Sequence, residues 1–225
     1  VAGLRPCVAL FDLDGTLTWR DTLVPFLVGY LRQRPSRLAR LWRLPHIIAG
    51  FLTDRDRGLL KGRLIGCVMG ADPRSRVDDW CRSFVGDLEP RHTFRPAALA
   101  ALEAHRCAGD HLVLLSASPD LYVPRIGALL GFERTLCTEM HWLKCPPAED
   151  RLDGTLGSPN LRGGEKSRCL AWLRTQYPGL PVIAYGNAES DIPHLRQADR
   201  ALMVGGNAAA RRAAAAVGIP AADWT

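Results

Sequence analysis

Residues 7–18 read Cys-Val-Ala-Leu-Phe-Asp-Leu-Asp-Gly-Thr-Leu-Thr, so two aspartates, Asp12 and Asp14, follow directly on an apolar run at 7–11. A run this short, without polar alternation, predicts a strand buried on both faces, the kind that parallel sheets contain. Similar runs recur at 111–115, 181–185 and 200–204. Amphipathic stretches at helical spacing lie between and after them, at 96–108, 119–130, 165–175 and 208–217. Alternating strand and helix units predict an α/β fold, a parallel sheet sandwiched by helices.

The stretch 19–90 interrupts this rhythm, because it is far longer than one crossover helix and holds no strand-like run. Its apolar residues recur at helical spacing, and Pro35, Pro45 and Ala71-Asp72-Pro73 divide it into about four helices. It reads as a helical insert over the carboxyl end of the first strand, leaving 1–18 and 91–225 as the core. A second irregular piece, 138–163, carries Pro146-Pro147 and Asp153-Gly154 and predicts a hairpin or flap.

Composition narrows the class. With 47% hydrophobic and 23% charged residues, the chain is neither disordered nor fibrous. Its longest apolar runs, at 22–31 and 44–52, fall short of the roughly 18 to 20 residues of a membrane span. Residues 1–12 lack the pattern of a secretory signal, so a cytoplasmic location is expected. The seven cysteines are scattered without a C-x-x-C pair and read as ordinary thiols. The net charge of +6 raises an anionic partner, but no aromatic-interleaved basic stripe favours nucleic acid.

Ligands of open parallel sheets bind beyond the carboxyl ends of the strands, so the residues that end each run matter most. Here these ends are Asp12-Leu13-Asp14-Gly15, Ser116-Ala117-Ser118 and Gly186-Asn187-Ala188-Glu189-Ser190-Asp191. Carboxylates, a hydroxyl and an amide at one sheet end suit metal-assisted phosphoryl chemistry. Asp12 and Asp14 leave an extended backbone on the same side, and such crowding calls for a hard cation such as Mg²⁺. A calcium loop of the D-x-D-G kind does not fit, since a strand precedes it and its twelfth position is Leu23. Ser118-Pro119-Asp120 predicts a helix start, which would set Ser116 before free N–H groups that favour phosphate. Lys166, in Gly163-Gly164-Glu165-Lys166, opposes the dipole at a helix N-terminus unless an anion lies nearby.

Taken in order, FDLDGTLT, LLSASPD, RGGEKSRCL and AYGNAESDIPHL resemble the four motifs of the haloacid dehalogenase (HAD) superfamily. Within it, the likeness is to the phosphoserine phosphatase-like branch (subclass IB), with a Rossmann-like core and an inserted α-helical cap. The resemblance implies a phosphomonoester hydrolase in which Asp12 is the nucleophile, forming an aspartyl-phosphate, and Asp14 the general acid and base. It further implies that Ser116, Lys166 and the backbone at Ala117 hold the phosphoryl oxygens. Mg²⁺ would be bound by Asp12, the main-chain carbonyl of Asp14, Asn187 and Asp191. The chain departs from the family pattern at Asn187, where an aspartate is usual, which opens the alternative of a weakly active phosphate-binding module. A phosphotransferase or phosphomutase using the same intermediate is the other alternative.

In the insert, Asp21 aligns with a substrate-contacting carboxylate of phosphoserine phosphatases, and equally reads as an N-cap before Thr22. Lys61 and Arg63 stand where a substrate-facing base is expected, or are solvated helix residues. Residues 19–63 hold ten arginines and lysines against three aspartates, so the charge is concentrated here. Arg37, Arg40 and Arg43 share one helical face, with Leu38, Leu41 and Trp42 towards the other. A basic amphipathic helix of this kind raises peripheral contact with an anionic membrane at its inner face. The pattern is similar to phosphatidylglycerophosphatase C-like members of the branch, which implies a lipid phosphomonoester beside the small soluble one. The sequence leaves the oligomeric state open.

Overall fold

The computed structural model describes residues 6–224. Along the chain the strands are β1 (Val8–Phe11), β2 (His111–Pro119), β3 (Arg134–Thr138), β4 (Met140–Leu143), β5 (Arg151–Leu156), β6 (Val182–Gly186), β7 (Arg200–Val204) and β8 (Ala221–Ala222). A six-stranded sheet in the order β3-β2-β1-β6-β7-β8 is parallel throughout, with β1 hydrogen-bonded between β2 and β6. The strand pleat sends alternate side chains to opposite faces. Ala9, Phe11, Leu112 and Leu114 enter one core cluster, while Val8, Leu10, Val113 and Leu115 enter the other. Both faces are therefore apolar, and each must be covered by helices.

The helices are α1 (Leu23–Gln33), α2 (Leu44–Asp54), α3 (Arg57–Met69), α4 (Arg74–Gly86), α5 (Pro90–Thr93), α6 (Pro96–Ala108), α7 (Val123–Leu129), α8 (Gly164–Gln176), α9 (Ile192–Leu195) and α10 (Ala208–Ala215). Side chains of α8, α9 and α10 fill the second cluster. The first cluster takes those of α6 and α7 together with Phe26, Tyr30, Trp80 and Phe84 of the inserted helices. Phe26 and Phe84 both pack on Tyr122, with centroids 4.6 and 5.5 Å away. The insert thus shares the core of the sheet's face. Its two linkers run side by side, where the Trp19 N–H donates to the Thr93 carbonyl (3.1 Å) and the Arg95 N–H to that of Leu17 (2.8 Å). Among the described residues no helix is long and apolar enough to cross a membrane.

Several local expectations change. Between α1 and α2 the chain forms a 3-10 stretch, Pro35–Arg43, so the insert holds five helical pieces. Pro45 sits in the first turn of α2, where its missing N–H costs nothing, and the break instead falls at Arg55, in a left-handed conformation. The piece at 138–163 does form an antiparallel hairpin, β4 with β5, but Asp153-Gly154 lies inside β5 and is not its turn. Gly154 is needed there because α3 packs on β5: a Cβ at this site would lie 2.4 Å from the Gly66 Cα.

The arginine face is the main correction. Asp72, fully buried, accepts from the Tyr30 hydroxyl, the Arg37 guanidinium and Arg76 (2.9 Å). Arg37 and Arg40 also donate to the Gly70 carbonyl, at 3.3 and 2.8 Å. Two of the three arginines are therefore turned inward, binding the 3-10 stretch to the end of α3. Leaving their charge without a carboxylate is costly, because the partners stay desolvated. Asp72→Ala is expected to lower unfolding free energy by about 3 kcal/mol in urea titration, and a loss below about 1 kcal/mol would contradict this role.

Candidate active site

The ends of β1, β2 and β6 meet at a cleft of about 730 Å³, lined on its other side by the insert. Beyond Phe11 the chain stays extended through Asp12, then turns sharply at Gly15, with φ 82°, and closes with the Thr18 N–H donating to the Leu13 carbonyl (3.0 Å). This turn sets both aspartates on the cleft wall. Asp12 is buried and accepts from the Thr16 hydroxyl (3.0 Å) and from the Lys166 ammonium (2.6 Å). Lys166 also donates to Asp191 (2.8 Å), whose other oxygen accepts the N–H groups of Asn187 (3.1 Å) and Ala188 (3.0 Å). The anions that a lysine early in α8 requires are thus Asp12 and Asp191.

Asp14 has a different environment. One of its oxygens accepts from the Thr22 N–H and hydroxyl, both at 2.7 Å, and the other from the Ser118 hydroxyl at 2.5 Å. The Thr22 hydroxyl in turn lies 3.0 Å from that of Tyr122. Burial raises the Asp14 carboxyl above its ordinary value against the pull of these donors. Burial also raises Asp12, with Lys166 opposing and the charges of Asp191 and Asp14 adding to the rise. For Lys166, burial works against the charge, but Asp12 and Asp191 outweigh it and raise the ammonium. Two buried carboxylates, Asp12 and Asp191, and the half-buried Asp14, set against one buried ammonium, leave excess negative charge beside the cleft.

That excess, and an all-oxygen donor set, fit a hard divalent cation. Asn187 lines the cleft, and its side-chain amide makes no hydrogen bond among the described residues. Its Nδ2 lies against Gly15, where a Cβ would sit 2.0 Å away and displace the amide, while the positive φ of 82° is what requires glycine. Asp191 has both oxygens engaged by Lys166 and the backbone.

Other expected residues fall in varied places. Ser116 is fully buried and gives the cleft no surface; its hydroxyl oxygen accepts the Ser118 N–H (3.0 Å), and Ala117 and Ser118 form the wall. The reason is that β2 continues to Pro119 with a register shift, so the helix starts at Val123 and not at Ser118. Asp21 lines the cleft, but one of its oxygens accepts the N–H groups of Leu23 (2.9 Å) and Val24 (3.2 Å), as an N-terminal cap of α1 does. Lys61 also lines it, donating to the Ala117 carbonyl and to Asn160 Oδ1 (2.7 Å); burial pushes it down to about 8, with Asp14 and Asp21 opposing. Arg63 is the correction here: it pairs with Asp54 at 3.0 Å and does not line the cleft. On α3 the cleft face is Arg57, Leu60, Lys61 and Leu64, at helical spacing, which turns Arg63 away.

Sequence reasoning missed Thr22 and Ser118, which hold Asp14, and Asn160, Arg57 and Arg162, which line the cleft. Arg57 and Arg162 form no ion pair among the described residues, and burial and the Arg57 charge lower Arg162. Only Arg57 carried a signal, lying one helical turn before Lys61. His194, on α9, is buried with its Nδ1 unpartnered among the described residues.

The model of the haloacid dehalogenase-like hydrolases matches residues 9–196, and the chain belongs to that family. Protein CicA of Caulobacter vibrioides is 30% identical over 199 residues, covering 88% of this chain and 85% of that protein. Among solved structures, a protein described as of unknown function from Bordetella pertussis Tohama I superposes with a TM-score of 0.78 at 20% identity, covering 99% of this chain and 100% of its own. A phospho-aspartyl intermediate analogue of phosphoserine phosphatase gives 0.64 at 12% identity, covering 93% and 91%. These superpositions share the fold.

Burial pushes His194 down to about 3, with the Lys166 charge adding to the effect and Asp191 opposing it. The folded protein therefore keeps this imidazole neutral well below the pH at which the unfolded chain protonates it, and acid favours unfolding. In His194→Leu, the loss of unfolding free energy between pH 7 and pH 5 is expected to be smaller by about 2 kcal/mol than in the parent. Equal losses in the two proteins would show that His194 is charged or solvated when folded.

Proposed function

We propose that the protein is a Mg²⁺-dependent phosphomonoesterase working through an aspartyl-phosphate on Asp12. The observation that carries this reading is the pair of unlike carboxylates on one cleft wall, Asp12 held by Lys166 and Asp14 held by Ser118 and Thr22. The likeness in fold to phosphoserine phosphatase, one of whose structures is described as a phospho-aspartyl intermediate analogue, supports it. The helical insert would act as a cap over the cleft.

In the first half-reaction an Asp12 oxygen attacks phosphorus, the bond from phosphorus to the ester oxygen breaks, and the leaving alkoxide takes the proton of the Asp14 carboxyl. The raised Asp14 value suits a group that must hold that proton. In the second, Asp14 as carboxylate takes a proton from water as its oxygen attacks phosphorus. The bond to Asp12 breaks, releasing phosphate and restoring the carboxylate. Lys166, charged at neutral pH, stabilises the negative charge at Asp12 and on the phosphoryl group. Asp12, the Asp14 carbonyl and Asn187 would hold Mg²⁺, which neutralises phosphoryl charge when bound. Asp191 would act through Lys166 and the loop backbone it grips. The substrate is a small phosphomonoester or a lipid phosphate, and Arg57, Lys61 and Arg162 would give the cleft mouth its preference for anions.

With Mg²⁺ and a panel of phosphomonoesters, Asp12→Asn is expected to lower phosphate release at least about 10³-fold, and Asp14→Asn by about 10²- to 10⁴-fold. EDTA is expected to abolish turnover and added Mg²⁺ to restore it. Release by Asp12→Asn at the parental rate would overturn the assignment. The double variant Arg57→Gln, Arg162→Gln is expected to raise KM about tenfold with a smaller effect on kcat. A fall in kcat at constant KM would remove these arginines from substrate binding.

A further inference from the structure

The 3-10 stretch runs into α2 without a break, because Arg43 (φ −77°, ψ −16°) and Leu44 (φ −56°, ψ −44°) at the junction both keep right-handed helical angles. Their inner side carries Arg37 and Arg40, bound to Gly70 and Asp72, then Ile47, buried, and Phe51, which lines the cleft. Their outer side carries Leu38, Trp42, Ile48 and Leu52, which are 50%, 74%, 51% and 61% exposed. Leu38 and Trp42, like Ile48 and Leu52, are four residues apart, and the exposed Pro45 and Ala49 lie between the two pairs, so this side is an apolar row over about four turns. A row of large exposed side chains of this length exceeds the scattered apolar residues of an ordinary surface.

Charge selects what covers it. Residues 22–53 contain five arginines and no aspartate or glutamate. With Arg37 and Arg40 turned inward, Arg32, Arg34 and Arg43 remain exposed, and the Arg43 guanidinium lies over the Trp42 ring at 5.5 Å. A second copy docked by this face about a two-fold axis would set arginine against arginine, with no acid of the stretch to separate them. An anionic lipid surface supplies the missing charge in its headgroups and an apolar layer beneath them. It also suits an indole beside a guanidinium, one end apolar and the other wet.

We propose that this outer face of the insert, Leu38, Trp42, Ile48 and Leu52 rimmed by Arg34 and Arg43, docks the protein peripherally on anionic membranes. The expected basic arginine face is thereby replaced by an apolar row with a basic rim. Phe51 and Leu52 are neighbours, one on the cleft wall and one on the docking face, so docking brings the cleft beside the lipid surface. The proposal does not depend on the reaction assigned above, since binding is measured without turnover.

The test is co-sedimentation of the full chain with vesicles of phosphatidylcholine alone or with about one third phosphatidylglycerol. The parent is expected to bind the mixed vesicles at least about tenfold more tightly than the neutral ones, and less tightly at high salt. Trp42→Ser with Leu52→Ser is expected to lower binding at least about tenfold, and Arg34→Ser with Arg43→Ser to remove the preference for phosphatidylglycerol. All four substituted positions lie on the surface, and circular dichroism and the melting temperature check that each protein is folded. No binding by the parent, or undiminished binding by the Trp42 and Leu52 variant, would overturn the proposal. So would a parental dimer in light scattering that Trp42→Ser dissociates.

Discussion

Lys166 stands between Asp12 and Asp191, 2.6 and 2.8 Å from them, with all three groups buried. None of these charges would be tolerated alone at such depth, because desolvation costs more than any packing contact returns. Together they join the end of β1, the first turn of α8 and the loop after β6, three segments far apart in sequence. The grip extends outward through Asp191, which also accepts the N–H groups of Asn187 and Ala188 and so fixes the loop that places Asn187 against Gly15. The cleft wall exists in its observed form because this ammonium is there.

The same ion group separates the two aspartates in chemistry. Asp12 has a fixed positive charge as its neighbour, which favours its anion against the rise that burial causes. Asp14 has only neutral donors, from Ser118 and Thr22, and burial acts on it with no ammonium in contact to oppose it. Carboxyl groups two residues apart thus have different surroundings, which on the proposed mechanism would let one site run nucleophilic and acid–base steps at one pH.

What the sequence discloses follows from how local each cause is. β1, β2, β6 and β7 are legible as apolar runs, β1 and most of β2 being buried on both faces, β6 on one face and β7 at its carboxyl end. β3 is not, since it lies at the sheet edge and reads Arg-Thr-Leu-Cys-Thr, mostly half-buried. The motif residues Asp12, Asp14, Lys166, Asn187 and Asp191 come together because the topology brings strand ends together, and that topology is readable from the alternation of elements. The inward turn of Arg37 and Arg40 is not readable in the same way. Periodicity groups residues onto one face, but which face points inward depends on Asp72, 35 residues beyond Arg37. The exchange of Arg63 for Arg57 has the same origin, since only the packing of α3 against β5 and the cleft decides which arginine of that helix faces in.

The insert is bound into the chemistry as well as into the core. Thr22, at the threshold of α1, supplies two of the three hydrogen bonds to Asp14, and Ser118 of β2 supplies the third. Tyr122 touches Thr22 through its hydroxyl and packs on Phe26 and Phe84 of the insert through its ring. A helical layer that shared no core with the sheet could shift without altering a carboxylate beneath it. Here displacing the insert would strip Asp14 of two donors and uncover the aromatic cluster around Tyr122 in the same movement. The environment that tunes Asp14 is thus built jointly by sheet and insert, so the position of the insert is itself a determinant of what that carboxyl can do.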